Sequence, residues 1–178
     1  AIWLRGVPGM QLRLEADQAR QKVIGAHLVL ADSQVQVQAF AAPKSAGIWD
    51  EIRDEIAQSL ATGGGTADEV EGPLGVELHG RMPTRTPNGQ TDFSPVRFVG
   101  VDGPRWFFRA VMSGRAAVDD AAAEQFYSLI EDMVVVRGEV PMPPREVLPL
   151  AMPTSPQSEA GADESTQDGV SLDPFRRG

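Results

Sequence analysis

From Pro95 to Met112 the chain reads as two strands that are apolar on both faces, and this pattern constrains the fold more than any other. Val96 to Val101 and Arg105 to Met112 are separated by Asp102-Gly103-Pro104, a turn sequence, so the two segments form a hairpin. In the second arm Trp106, Phe108, Ala110 and Met112 point one way, and Phe107, Arg109 and Val111 the other. Strands with apolar residues on both sides belong at the centre of a sheet.

Other segments supply further strands. Met10, Leu12 and Leu14 alternate with Gln11, Arg13 and Glu15, the signature of a half-buried strand. After a polar turn from Gln18 to Lys22, Val23 to Ala31 is a second strand. Gln34 to Ala41 is a third, joined to the second through Ala31-Asp32-Ser33. In the third, Val35, Val37 and Ala39 oppose Gln34, Gln36 and Gln38. Pro43 stops this strand, because it cannot donate to a ladder. Val76, Leu78 and Met82 mark a fourth strand, and Pro83 to Pro95, rich in Thr, Pro and Gly, reads as a loop.

Two helices punctuate the strands. Ser45 is the expected N-cap of a helix from about Ala46 to Ala61, with Ile48, Trp49, Ile52, Ile56 and Leu60 on one stripe. Asp50 and Glu51 in its first turn favour the helix dipole. Gly63-Gly64-Gly65 ends it and opens a flexible loop to Asp68. Asp119 or Asp120 caps a second helix, Ala121 to Asp132, whose apolar face is Ala122, Phe126, Leu129, Ile130 and Met133. Val134 to Val136 reads as a short last strand. Pro141, Pro143, Pro144, Pro149 and Pro153 then impose an extended path that Val147, Leu148 and Leu150 dock onto the body. From Thr154 to Gly178 the composition cannot offset the entropy of ordering, which predicts an acidic, disordered tail.

Composition narrows the function classes. A chain of 178 residues suits one domain plus an appendage. Its formal net charge of −9 argues against direct nucleic-acid binding and against anionic membrane surfaces, which need a basic face. No apolar run approaches the roughly 18–20 residues of a membrane helix. The absence of cysteine rules out disulfides and fits a cytoplasmic location. The first residue is Ala1 rather than Met, so a missing upstream segment, with or without a signal, is expected. The preference for Arg over Lys22 and Lys44 is read as the mark of a GC-rich genome.

The usual catalytic groups are scarce. His27 and His79, on separate strands, read as ordinary sheet histidines, and no ligand set for a metal is visible. Asp50, Glu51, Asp54 and Glu55 read as a solvated helix face. The glycine runs lack the strand–loop–helix setting of a phosphate site, and Ser45, Ser59, Ser94 and Ser113 lack a partnered histidine. Trp49, Trp106, Phe107 and Phe108 read as core rather than as a ligand pocket. Charge is unevenly spread. Between Phe93 and Val118, Arg97, Arg105, Arg109 and Arg115 face only Asp102, whereas between Pro43 and Glu77 eight carboxylates face Lys44 and Arg53. Pairing between hairpin and helix is the simpler account; steering of an acidic partner is the functional one.

Three stretches carry a resemblance: Gln34 to Ile52, Pro95 to Trp106, and Val134 to Glu146 with its Met-Pro-Pro-Arg core. Over about Val7 to Pro153 the chain resembles an uncharacterised actinobacterial domain family of unknown function. The resemblance implies a cytoplasmic bacterial protein with a charged N-terminal extension, and transfers no catalytic residue. The order of elements is also similar to the Mog1/PsbP-like α+β sandwich, whose members are mostly binding or assembly factors.

The sequence therefore predicts an α+β fold, with about six antiparallel strands and two main helices packed on the sheet, arranged as in the Mog1/PsbP-like sandwich. It predicts a domain over residues 1–140, a proline-rich wrapping segment over 141–153, and the tail over 154–178. The expected function is a non-catalytic protein-interaction or assembly module. Its partner is another protein or a second copy, with no cofactor, no metal, no nucleic acid and no membrane. Arg97, Arg105, Trp106 and Arg109 are the candidate binding residues. The alternatives are a small anionic ligand, or an unrecognised enzyme, in an Arg/Trp cleft, and a structural role by self-association.

Overall fold

The structure is a computed structural model that describes residues 2–3, 6–45 and 47–150; the expected tail and residues 151–153 lie outside the described residues. In chain order the elements are β1 (Ile2–Trp3), β2 (Gln11–Asp17), β3 (Lys22–Leu30), β4 (Ser33–Ala41), α1 (Trp49–Thr62), β5 (Thr66–Gly72) and β6 (Gly75–Arg85). They continue with β7 (Thr91–Gly103), β8 (Trp106–Gly114), a 3-10 turn (Arg115–Ala117), α2 (Asp120–Glu131) and β9 (Val134–Val135). The α+β class, the antiparallel sheet and the two helices are as the sequence predicts.

The main sheet has seven strands in the order β2-β3-β4-β8-β7-β6-β5. It consists of two meanders, β2–β4 and β5–β8, joined along the β4–β8 seam, with α1 as the crossover between them. Val134 and Val135 do not extend this sheet. They pair with Trp3 and Ile2 in a separate two-stranded ribbon.

Each helix takes one face. On the α1 face, Trp49 stacks on Phe107 with 5.7 Å between ring centroids, and Leu60, Leu78, Val96 and Phe98 are buried around them. Gly100 is needed here: a Cβ on it would enter the Trp49 ring. On the α2 face, Ala123, Phe126, Leu129 and Ile130 pack on Leu28, Val35, Val37, Ala110 and Met112. Full burial of side chains such as Phe126 and Leu28 stabilises the fold by about 1.5–3 kcal/mol each. The central β8 therefore has core on both sides, as its sequence requires, and Trp49, Phe107 and Phe108 are core residues.

Four local expectations are corrected. Ser45 does not cap α1; the helix starts at Trp49, and the Asp102 carboxylate accepts from the Ile48 and Trp49 backbone N–H groups at 2.8 and 3.1 Å. The residues after Gly65 are not a loop to Asp68, because β5 begins at Thr66. The Pro83–Pro95 stretch is not all loop, since β6 and β7 run on as a two-stranded arm out to the Arg85–Thr91 pair. Pro83 and Pro95 are tolerated because β5 reaches only the Thr66–Arg81 pair and β8 only the Val96–Ser113 pair. Among the described residues each proline thus has a ladder neighbour on one side only. Finally, the sheet has seven strands rather than about six.

The segment after Pro144 docks where β3 and β4 splay apart. Leu148 N–H donates to Ala39 O, Leu150 N–H to Val23 O, and Arg145 N–H to Ala41 O. Leu148 is buried, and Arg145 forms ion pairs with Glu51 and Glu55 of α1.

Candidate functional site: an acidic cleft beside the second helix

α2 covers the middle of its face and leaves the β5–β7 flank open. The space between is a cleft of about 1010 Å3. One side is the face of β5, β6 and β7 that carries Asp68, Glu77, His79 and Arg97. The other is one stripe of α2, with Asp120, Glu124, Tyr127, Ser128 and Glu131 at helical spacing.

A buried polar chain forms the floor. Glu77 and Arg97 are 2 % and 4 % exposed, too buried for charged groups unless they are paired. The Tyr127 hydroxyl donates to Glu77 Oε1 at 2.5 Å and accepts from Arg97 Nη1 at 3.1 Å. Arg97 Nη2 donates to Asp120 Oδ1 at 2.9 Å, and its buried Nε has no partner among the described residues. Glu77 Oε2 lies 3.0 Å from His79 Nε2, two residues along the same face of β6. Gly72 makes room for this carboxyl group, since a Cβ there would collide with it.

The environment tunes these groups. Burial, then the hydrogen bond to Glu77, pushes the Tyr127 hydroxyl up to about 12 from 10.0, which keeps it protonated as a donor. Burial alone would lower the Arg97 value, but hydrogen bonds to Tyr127 and Asp120 outweigh it and the value is raised. The cleft as a whole is acidic: Asp68, Glu71, Glu77, Asp120, Glu124 and Glu131 line it against Arg81 and Arg97. The Thr66 and Ser128 hydroxyls line it without a hydrogen bond to His79. Among the described residues no cluster of His, Asp and Glu could hold a metal ion.

The four residues singled out from sequence do not converge. Arg97 is in the cleft floor on the α2 face. Trp106 also packs toward the α2-face core, against Gly103. Arg109 is on the α1 face, stacked over Phe40 at 5.2 Å and donating to Gln38 Oε1 at 2.6 Å; burial lowers its value, partly offset by Glu15. Arg105 is exposed in the β7–β8 turn at φ 66°, where its carbonyl accepts from Arg137. Sequence reading missed Glu77 and Tyr127. The available signal was a lone carboxylate between Val76 and Leu78 in an apolar strand.

An antiparallel seven-stranded sheet with a helix on each face and an acidic cleft at its open flank is the class that the fold and site define. The chain belongs to the DUF3710 family of proteins of unknown function, which matches residues 1–159. No curated protein and no solved structure matches it, so the Mog1/PsbP-like likeness rests on element order alone. No helix among the described residues is long and apolar enough to cross a membrane.

Proposed function

We propose that the chain is a non-catalytic interaction module of the cytoplasm whose cleft beside α2 captures a cationic segment of a partner protein. The observation that carries this reading is the charge of the cleft, six carboxylates against two guanidiniums. Of those guanidiniums, Arg97 is already engaged by Asp120 and Tyr127. The remaining field attracts arginine and lysine side chains, and Glu71, Glu124 and Glu131 are exposed at the rim to meet them. Binding rather than chemistry is favoured because the Thr66 and Ser128 hydroxyls make no hydrogen bond to His79, and the Tyr127 hydroxyl donates to the buried Glu77 rather than to the imidazole.

Affinity capture from native lysate with mass spectrometry tests this. Wild type is compared with Glu71→Lys/Glu124→Lys, and with Glu139→Lys as a control outside the cleft. A partner with a basic segment that is lost only from the cleft variant supports the reading. A partner kept by all three, or none at all, overturns it.

A further inference from the structure

The two ends of the sheet differ in kind. The β5 edge carries Asp68, Glu69 and Glu71 in seven residues, and a like-charged row is a common guard against edge pairing. The β2 edge carries no like-charged row; its irregularity is the register shift at Glu15/Ala16, where β3 has the extra residue Ile24 and β2 keeps its alternation. It is the end of the sheet, paired only with β3 among the described residues, and has no proline. Leu12 and Leu14 are 47 % and 39 % exposed on it, on the α2 face beside the buried Leu28 and Ala26.

The backbone of β2 is set for a further strand. Ala39 and Ala41 direct their hydrogen bonds to the 145–148 segment on the β3 side of β4. Alternation along β4, then across the Ala26–Val37 and Leu28–Val35 pairs, directs the groups of Gly25 and His27 toward β2. Their partners Glu15 and Arg13 therefore bond inward, which leaves the N–H and C=O groups of Leu12, Leu14 and Ala16 pointing outward.

We infer that this edge is a docking surface for a second copy of the chain, pairing β2 with β2 about a two-fold axis at Leu14. In that register Leu14 meets Leu14, Leu12 meets Ala16, and Arg13 meets Glu15 twice on the opposite face. The sequence Gln11-Leu-Arg-Leu-Glu-Ala-Asp17 is thus complementary to its own antiparallel copy in both apolarity and charge. The neighbouring registers fail the same test: one places Arg13 against Arg13 and the other Glu15 against Glu15. Arg13 is exposed and has no ion pair within its own chain among the described residues, while Glu15 turns Oε2 to Gln36 and His27 and presents Oε1 to the partner's Arg13. The result is one sheet of two copies, with both α2 helices on the same side and the carboxylate-lined β5 edges at its ends.

The test is the mass of the full chain in solution, by sedimentation velocity over a wide concentration range, for wild type, Arg13→Glu, Glu15→Arg and the double swap Arg13→Glu/Glu15→Arg. Wild type and the double swap are expected at twice the chain mass of 19.1 kDa. Arg13→Glu, with unchanged circular dichroism, is expected to dissociate at least about tenfold more readily; Glu15→Arg also loses the Gln36 bond and the carboxylate near Arg109, so thermal unfolding first confirms that it and the double swap are folded. An equimolar mixture of the two single variants is expected to pair again, because each Glu then meets an Arg. A wild type that stays at the single-chain mass overturns the inference, whatever else covers the edge. So does a dimer indifferent to Arg13→Glu, or a mixture that fails to pair.

Discussion

The Tyr127 hydroxyl bridges Glu77 and Arg97, donating to the carboxylate at 2.5 Å and accepting from the guanidinium at 3.1 Å. It joins α2 to two strands of the sheet through groups that water barely reaches. A buried carboxylate is tolerated only while a donor and a cation face it, so each member depends on the others.

Removing the cation should therefore be costly. Arg97→Met is expected to destabilise the fold by about 1–3 kcal/mol, because Tyr127 and Asp120 lose their donor and the buried Glu77 loses the cation beside it. Adding Glu77→Gln should restore part of that loss. Urea unfolding of the two single variants and the double variant gives the coupling directly.

Tyr127 is the only tyrosine, so tyrosinate absorbance reports it without ambiguity. The native chain should titrate near pH 12, and the urea-unfolded chain near 10.0. A raised folded value means that the linked stability is intact below pH 10.0 and is lost as pH climbs toward 12. Tyr127→Phe should flatten that part of the stability curve. A native midpoint near 10.0 would show the hydroxyl to be solvated.

The long-range cap of α1 predicts a cost far from the helix in sequence. Asp102→Ala removes the acceptor for two backbone N–H groups and is expected to lower stability by about 1–2 kcal/mol. Ser45→Ala should be close to neutral by the same urea measurement.

Gly100→Ala tests the close contact with Trp49. Overpacking at this point is expected to cost about 1–3 kcal/mol. Gly89→Ser, in the β6–β7 turn at φ 79° with open space around it, probes backbone strain instead of a clash. Thermal unfolding with and without Trp49→Leu separates the two causes. The penalty at Gly100 should shrink when the indole is replaced by the smaller leucine side chain, and that at Gly89 should not.

Strands whose two sides face different surroundings were legible in the sequence. Gln34 to Ala41 and Trp106 to Met112 carry their period of two openly because each is packed over most of its length. β5 was not legible: Thr66-Ala-Asp-Glu-Val-Glu-Gly72 is an edge strand, largely exposed, and has no apolar alternation to show. The start of α1 was misplaced because its cap comes from Asp102, on another hairpin, and no local pattern announces it. The cleft was read least well for the same reason. Glu77 and Tyr127 are 50 residues apart, and only the sheet order and the placement of α2 bring them together. The clustering of four arginines on one hairpin misled, because a strand alternates: Arg97 and Arg109 end on opposite faces.

The β4–β8 seam also bears on how the chain is made. β4 leaves the ribosome more than sixty residues before its partner, and all nine of its seam residues wait for Trp106 to Gly114. Through that interval a strand built for the middle of a sheet stands as an open edge, bearing Val35, Val37 and Ala39 on one side. Closure of so distant a pair is slow relative to hairpin formation. Newborn chains thus pass through a stage in which the first meander is sticky and the second is unmade. Substitutions that delay β8 are expected to reduce yield in the cell more than they reduce the stability of the finished protein.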